Sequence, residues 1–226
     1  MSNPNTENPL EQLSKYEKEL ELAKNSADTS EIFHILLKLG KLCYEIEASE
    51  LGLNYILEAI ELSKKSSDFP TPHEFYKLLG DFNYEQGLLN DAYDAYNRSN
   101  KELPKNEFFK LRAENNFKLG RVSVLLDKKD RAIKHFKESE RIFEELGLHA
   151  ERARIYNRIG LIHLKALTAI KKMRKDDFYD LFEKAMKNFK CAIMILEQHD
   201  LKEAENVLYN TIRANLQADF TDYYLQ

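Results

Sequence analysis

Six histidines and two cysteines are the residues of this chain with the widest chemical reach. Imidazole titrates near neutral pH and ligates metals, and a thiolate is a nucleophile or a soft ligand. Both roles depend on spacing, such as paired His one helical turn apart or Cys pairs a few residues apart for zinc. His34, His73, His135, His149, His163 and His199 never fall at such a spacing with one another, nor with Cys43 or Cys191. His163 falls on the apolar face of a helical pattern, as a core residue would. Carboxylates are abundant, but acid–base catalysis needs a carboxyl raised by apolar surroundings. Pairs such as Glu144 and Glu145 fall on polar faces instead. Gly40, Gly80, Gly120 and Gly160 lie inside helical patterns, not in a strand-to-helix turn that could cradle phosphate. The expectation is a chain that is not an enzyme and uses no metal and no cofactor.

Composition narrows the remaining classes. The 226 residues carry 34 Lys and Arg against 38 Asp and Glu, a net charge of −4. Charge is 32% of the chain and mixed in sign, as on solvated helix faces, which argues against general affinity for nucleic acid. Cys43 and Cys191 both fall on apolar faces, so two free thiols in a reducing compartment are expected. No run approaches the roughly 18 apolar residues of a membrane span, and residues 1–9 lack the apolar stretch of a signal peptide. A cytoplasmic location is the expectation.

What must position any functional group is a repeat. Gly40, Gly80, Gly120 and Gly160 are spaced by 40 residues, each after an apolar residue: Leu39, Leu79, Leu119 and Ile159. A period this long means one supersecondary unit copied and stacked. Few Gly and Pro, with Glu, Lys, Leu and Ala in plenty, make helix the default state. Residues 1–8 read as disordered, and a first helix is predicted from about Pro9 to near Asn25, with Asp28, Thr29 and Ser30 as caps for the next. Within a unit two helical patterns meet at a short break. Pro72 opens a helix that Gly87 closes, a second starts near Asn90, and Pro104 ends the unit. A break that short permits only an antiparallel hairpin.

The order Tyr76-x2-Leu79-Gly80-x2-Asn83, then Ala92-x3-Tyr96-x2-Ser99, then Pro104, resembles a tetratricopeptide repeat (TPR). The first unit offers Leu36, Leu39, Gly40, Cys43, Gly52, Ile56 and Ala59 at the same offsets. The third offers Asn116, Leu119, Gly120, Ser123, Ala132, Phe136 and Ser139, and the fourth Tyr156, Ile159, Gly160, His163, Ala185, Phe189 and Ala192. The likeness covers about residues 31–199. Its period of 40 exceeds the common TPR length of roughly 34, as in the long-repeat branch of Pins/LGN-type adaptors and Rap-type peptide receptors. The fourth unit also carries about 13 extra residues between Gly160 and Ala185. The glycines and alanines are expected where helices cross closely, with Ile56, Tyr96, Phe136 and Phe189 filling the space beside them.

The resemblance implies an all-α fold: an α-solenoid of four TPR-like helical hairpins with N- and C-terminal capping helices, the last at about 201–219. One domain over 9–220 and a tail over 221–226 are expected. It also implies a concave groove lined by the residues three before, one after and four after each glycine. These are Leu37, Lys41 and Tyr44; Lys77, Asp81 and Tyr84; Phe117, Arg121 and Val124; and Asn157, Leu161 and Leu164. The implied partner is an extended peptide or amphipathic helix of another protein. The carboxylate clamp of chaperone-binding TPR proteins is not reproduced. Its Lys, Asn and Asn slots hold Leu37, Lys41 and Leu78 in one register, Lys77, Asp81 and Lys118 in the next, and Phe117, Arg121 and Arg158 in the third.

Two segments stand outside the repeat. The insertion brings Lys171, Lys172, Arg174 and Lys175 before Asp176 and Asp177, either an acidic-partner patch or the solvated junction of two helices. Asp219 to Gln226, with Phe220, Tyr223, Tyr224 and Leu225, is a docking motif, a ligand for the chain's own groove, or the fraying end of the last helix. The function expected is a non-enzymatic protein-binding adaptor. A peptide-switched regulator and a scaffold subunit of a larger complex are the alternatives.

Overall fold

The computed structural model describes residues 8–65, 72–104, 107–168 and 175–202, together with 208–209, 212–213 and 216. Among them nine helices follow in order: α1 (Pro9–Ser26), α2 (Thr29–Glu45), α3 (Ser49–Lys65), α4 (His73–Glu85), α5 (Leu89–Glu102), α6 (Phe109–Leu125), α7 (Lys129–Glu145), α8 (His149–Thr168) and α9 (Lys175–Gln198). The pairs α2/α3, α4/α5, α6/α7 and α8/α9 are sequential hairpins, with α1 packed on α2. The chain divides into two compact units, Met1–Phe108 and Phe109–Gln226.

Local chemistry explains the boundaries. Asn8 caps α1 through a bond accepted from Leu10 N at 3.1 Å, with Pro9 in the first turn, and Asp28 caps α2 by accepting from Glu31 N at 3.0 Å. Within the hairpins the turn repeats with the period. Glu47, Gly87 and Asp127 all take positive φ (59°, 74° and 54°). The next amide in each case bonds back to a helix carbonyl, Ala48 to Cys43, Leu88 to Asn83 and Lys128 to Ser123, all at 2.8 Å. This closes the orphan carbonyls of a helix end. Only Gly87 announces the turn by residue type; Glu47 and Asp127 hold the same geometry because the carbonyl acceptors offset the steric cost of a left-handed residue.

The crossings are built as the spacing predicts. A Cβ placed on Gly80 would lie 2.5 Å from the Tyr96 ring; on Gly120, 2.6 Å from Phe136; on Gly160, 2.5 Å from Phe189. Each ring stands on the second helix of the same hairpin and is almost wholly buried. The first hairpin solves the problem differently. Ile56 replaces the ring, and a Cβ on Gly40 would meet Leu78 Cδ2 at 3.0 Å and Ile56 at 3.3 Å. There the tight contact is at Gly52 of α3, where a Cβ would lie 2.5 Å from Phe82 of α4. A hydroxyl contact also recurs every 40 residues: Ser99 donates to the His73 carbonyl and Ser139 to that of Ala113, both at 2.7 Å and buried.

Each unit has its own core. In the first, Ile35, Leu36, Leu39, Cys43, Ile56, Ala59 and Phe82 pack together with Leu20 and Ala23 of α1. In the second, Ala113, Phe136, Ile155 and Ile159 form one cluster, and Leu164, Ala185 and Phe189 another that includes Ile212 of the expected C-terminal cap. Most of the rest of that cap, the N-terminal residues 1–7, Lys171, Lys172, Arg174 and the aromatic tail lie outside the described residues. The extra length of the fourth unit goes into α8 and α9, of 20 and 24 residues.

Substituting Gly120 or Gly160 by Ala drives a methyl group into a ring that has no room to swing. It should cost about 1–3 kcal/mol despite the gain in helix propensity. Gly40→Ala meets movable aliphatic ends and should fall within about 1 kcal/mol of neutral. Urea midpoints check the order; equal losses at the three sites would refute ring-on-glycine packing. Ser139→Ala should cost about 1 kcal/mol by the same measurement, by removing its buried hydrogen bond to the Ala113 carbonyl.

Candidate functional site

The first helices of the hairpins carry the residues expected to meet a partner. In the first unit Lys41 is exposed and Leu37, Tyr44, Lys77 and Tyr84 are half-buried. Neighbouring first helices are cross-linked at this face. Lys41 Nζ pairs with Glu74 Oε2 at 3.0 Å, and the Tyr44 hydroxyl donates to Glu85. The Tyr44 ring meets Phe82 edge-on, centroids 5.2 Å apart. Asp81 is only 8% exposed: it accepts from the Tyr96 hydroxyl at 2.7 Å and lies 3.7 Å from Lys77. It therefore fixes both the crossing ring and the lysine stem above it.

In the second unit Phe117, Arg121, Val124 and Leu161 are half-buried, with Phe117 tilted against Phe136 at 5.6 Å. Asn157 and Leu164, 5% and 3% exposed, belong to the packing beneath the surface. Leu164 sits in the cluster with Phe189 because α9, lengthened by the insertion, covers it. The Asn157 Oδ1 meets no donor among the described residues.

Several features escaped the spacing rules. Glu140 and Glu144 of α7 clamp Arg152 of α8, at 2.9 Å from Nε and 2.6 Å from Nη2, and Tyr156 donates to Glu140 at 3.2 Å. His149 and His199, fifty positions apart, stack with centroids 3.4 Å apart and planes within 7°. Burial, His199 and Arg152 together hold the His149 pKa below the ordinary imidazole value. Parallel stacked rings do not converge two nitrogens on one point. Among the described residues no group of three or more His, Cys, Asp and Glu is placed to hold a metal. Cys43 is buried, and burial followed by the charge of Glu17 pushes its thiol up, away from a reactive thiolate. His163 is half-buried.

No family model and no curated protein matches the chain. Solved structures do. It is similar to the crystal structure of MamA, with 23% identity over 83% of this chain and 88% of that one, TM-score 0.60. A second MamA structure gives 22% identity, 83% and 93% coverage and TM-score 0.55. BtubC (BKLC) from P. vanneervenii gives 15% identity, 94% and 92% coverage and TM-score 0.59. The fold is tetratricopeptide-like. No described helix is long and apolar enough to cross a membrane.

Burial holds the pKa of His73, His135 and His163 below the usual 6.5; Arg131 and Lys134 reinforce this at His135, and Lys184 at His163. As pH falls through about 6.5 the unfolded chain takes up protons that the folded chain refuses. Stability present above that pH is therefore lost below it. The melting temperature should be level above about pH 7.5 and fall toward about pH 5.5, as circular dichroism would show. A melting temperature that holds or rises on acidification contradicts the assignment.

Proposed function

We propose that the chain is a non-enzymatic adaptor that binds a peptide or amphipathic helix of another protein on the first helices of its hairpins. The observation that carries this reading is the chemistry of those faces. Part-exposed Leu37, Tyr44 and Tyr84 in the first unit, and Phe117, Val124 and Leu161 in the second, stand among Lys41, Lys77 and Arg121. Aromatic and aliphatic anchors beside cations are what a protein interface uses: apolar side chains fill pockets, and cations orient the ligand. Asp81, Asn157 and Leu164 support that surface from below. The inter-helix bonds of Lys41 and Tyr44 hold it in place before a ligand arrives, which reduces the ordering cost of binding. The 40-residue period relates this adaptor to the long-repeat, Pins/LGN-like branch. Two free thiols, one of them buried, suit a reducing cytoplasm.

Affinity capture from a cell extract with the intact chain as bait, followed by mass spectrometry, should return a specific partner. Tyr84→Ala and Arg121→Ala should each weaken that complex about tenfold, while the melting temperature of the free chain stays nearly unchanged. If both variants hold the partner as tightly as the parent chain, the first-helix surface is not where it binds.

A further inference from the structure

The net charge of −4 conceals a division. Through Phe108 the chain has 11 Lys and Arg against 20 Asp and Glu, a net −9; from Phe109 it has 23 against 18, a net +5. Within the second unit the second helices of the hairpins are balanced. α7 has five cations against five anions, and α9 four against five. The first helices are not: α6 and α8 each carry four cations against a single Glu.

Pairing sharpens the contrast. Arg141 of α7 bonds Glu138 and Glu145 on its own helix, and the remaining α7 carboxylates that reach α8, Glu140 and Glu144, are both taken by Arg152. The other α8 cations turn elsewhere. Arg154, Arg158, Leu161 and Lys165 follow one another at four-, three- and four-residue steps, so they form a single stripe along the helix. The three cations are exposed and Leu161 is half-buried. Among the described residues neither Arg154 nor Arg158 has an acidic partner. Like charges one turn apart repel. The fold therefore holds two uncompensated guanidinium groups side by side, each a rigid fork suited to a carboxylate.

We propose that the first-helix face of the second unit docks an acidic segment of a partner protein, whose Asp or Glu residues pair with Arg154 and Arg158 while interleaved apolar residues lie against Leu161. This rests on the protein-binding reading above and adds the charge of the partner. The stripe favours a peptide over nucleic acid. It is one helix face wide, it is bounded by charge-balanced helices, and it carries an aliphatic residue at its centre where an oligonucleotide site would present an aromatic stacking platform.

Fluorescence anisotropy on the intact chain tests this with four labelled probes of about a dozen units each, the peptides long enough to span the stripe. They are a peptide of Glu and Asp interspersed with Leu, the same peptide with Gln and Asn for the acids, the same with Lys, and oligothymidylate. The acidic peptide should bind, should weaken severalfold as salt rises from about 50 to 200 mM, and should outcompete the others. Arg154→Glu combined with Arg158→Glu should weaken it at least about tenfold. Lys187→Glu with Lys190→Glu on α9, also exposed, should leave it unchanged. Melting curves verify that both variants fold. No binding of the acidic peptide, or equal binding by the reversed variant, overturns the proposal. Equal binding of the Gln/Asn peptide overturns the charge assignment and leaves the protein-binding reading standing. Preference for oligothymidylate makes the face a phosphate surface. Sedimentation of the chain alone as a dimer that charge reversal dissolves makes its occupant the acidic unit of a second copy. Either result also overturns the proposal.

Discussion

Every hairpin of this protein depends on two helices approaching closely enough for a buried side chain to lie directly on backbone. In three hairpins a ring from the second helix covers a glycine of the first, at a distance no side chain on that glycine would allow. A Gly inside a helix costs about 0.5–1 kcal/mol relative to Ala, so each crossing must return more than that through ring burial and dispersion. Buried hydroxyls add direction: Ser99 and Ser139 tie the second helix to a carbonyl of the first. The first hairpin shows that the constraint is contact rather than a particular residue pair. With Ile56 in the ring position, the tight approach moves to Gly52 and Phe82, so a first helix of the next hairpin supplies the ring.

That packing has a functional consequence. Once the apolar faces are spent on crossings and cores, the outward stripes of the first helices are defined by geometry and free to vary in chemistry. The two units use that freedom differently. The first ties its stripe together through Lys41 with Glu74 and Tyr44 with Glu85 and leaves its charge negative. The second sends its α7 acids to Arg152 and leaves Arg154 and Arg158 uncompensated. Two positions along α8, Arg154 thus stands without the carboxylate partners that Arg152 holds.

Much of this was legible in the chain. The 40-residue period, the apolar residue before each glycine and the ring on the second helix together specified the hairpins and the closest contacts of three of them. Among the described turns within hairpins, residue type advertises only the one at Gly87, since Glu47 and Asp127 occupy the same left-handed position without such a residue. The candidate surface was legible as a set of positions. Its depth was not: Leu164 follows the same offset as Tyr44 and Tyr84 yet is buried, because the longer α9 lies over it.

What the sequence by itself determined is therefore what local periodicity can encode: helices, their order, and the residues that touch at the crossings of Gly80, Gly120 and Gly160, all set by intervals of three, four and 40 along one chain. What only the tertiary structure decided is which polar groups meet. The stacking of His149 on His199, the sharing of Arg152 between two glutamates, and the exposure of its two neighbours arise between helices whose side chains are far apart in sequence. Those pairings depend on inter-helix distance and rotamer, which no spacing rule carries, and they decide which cations of α8 are left uncompensated.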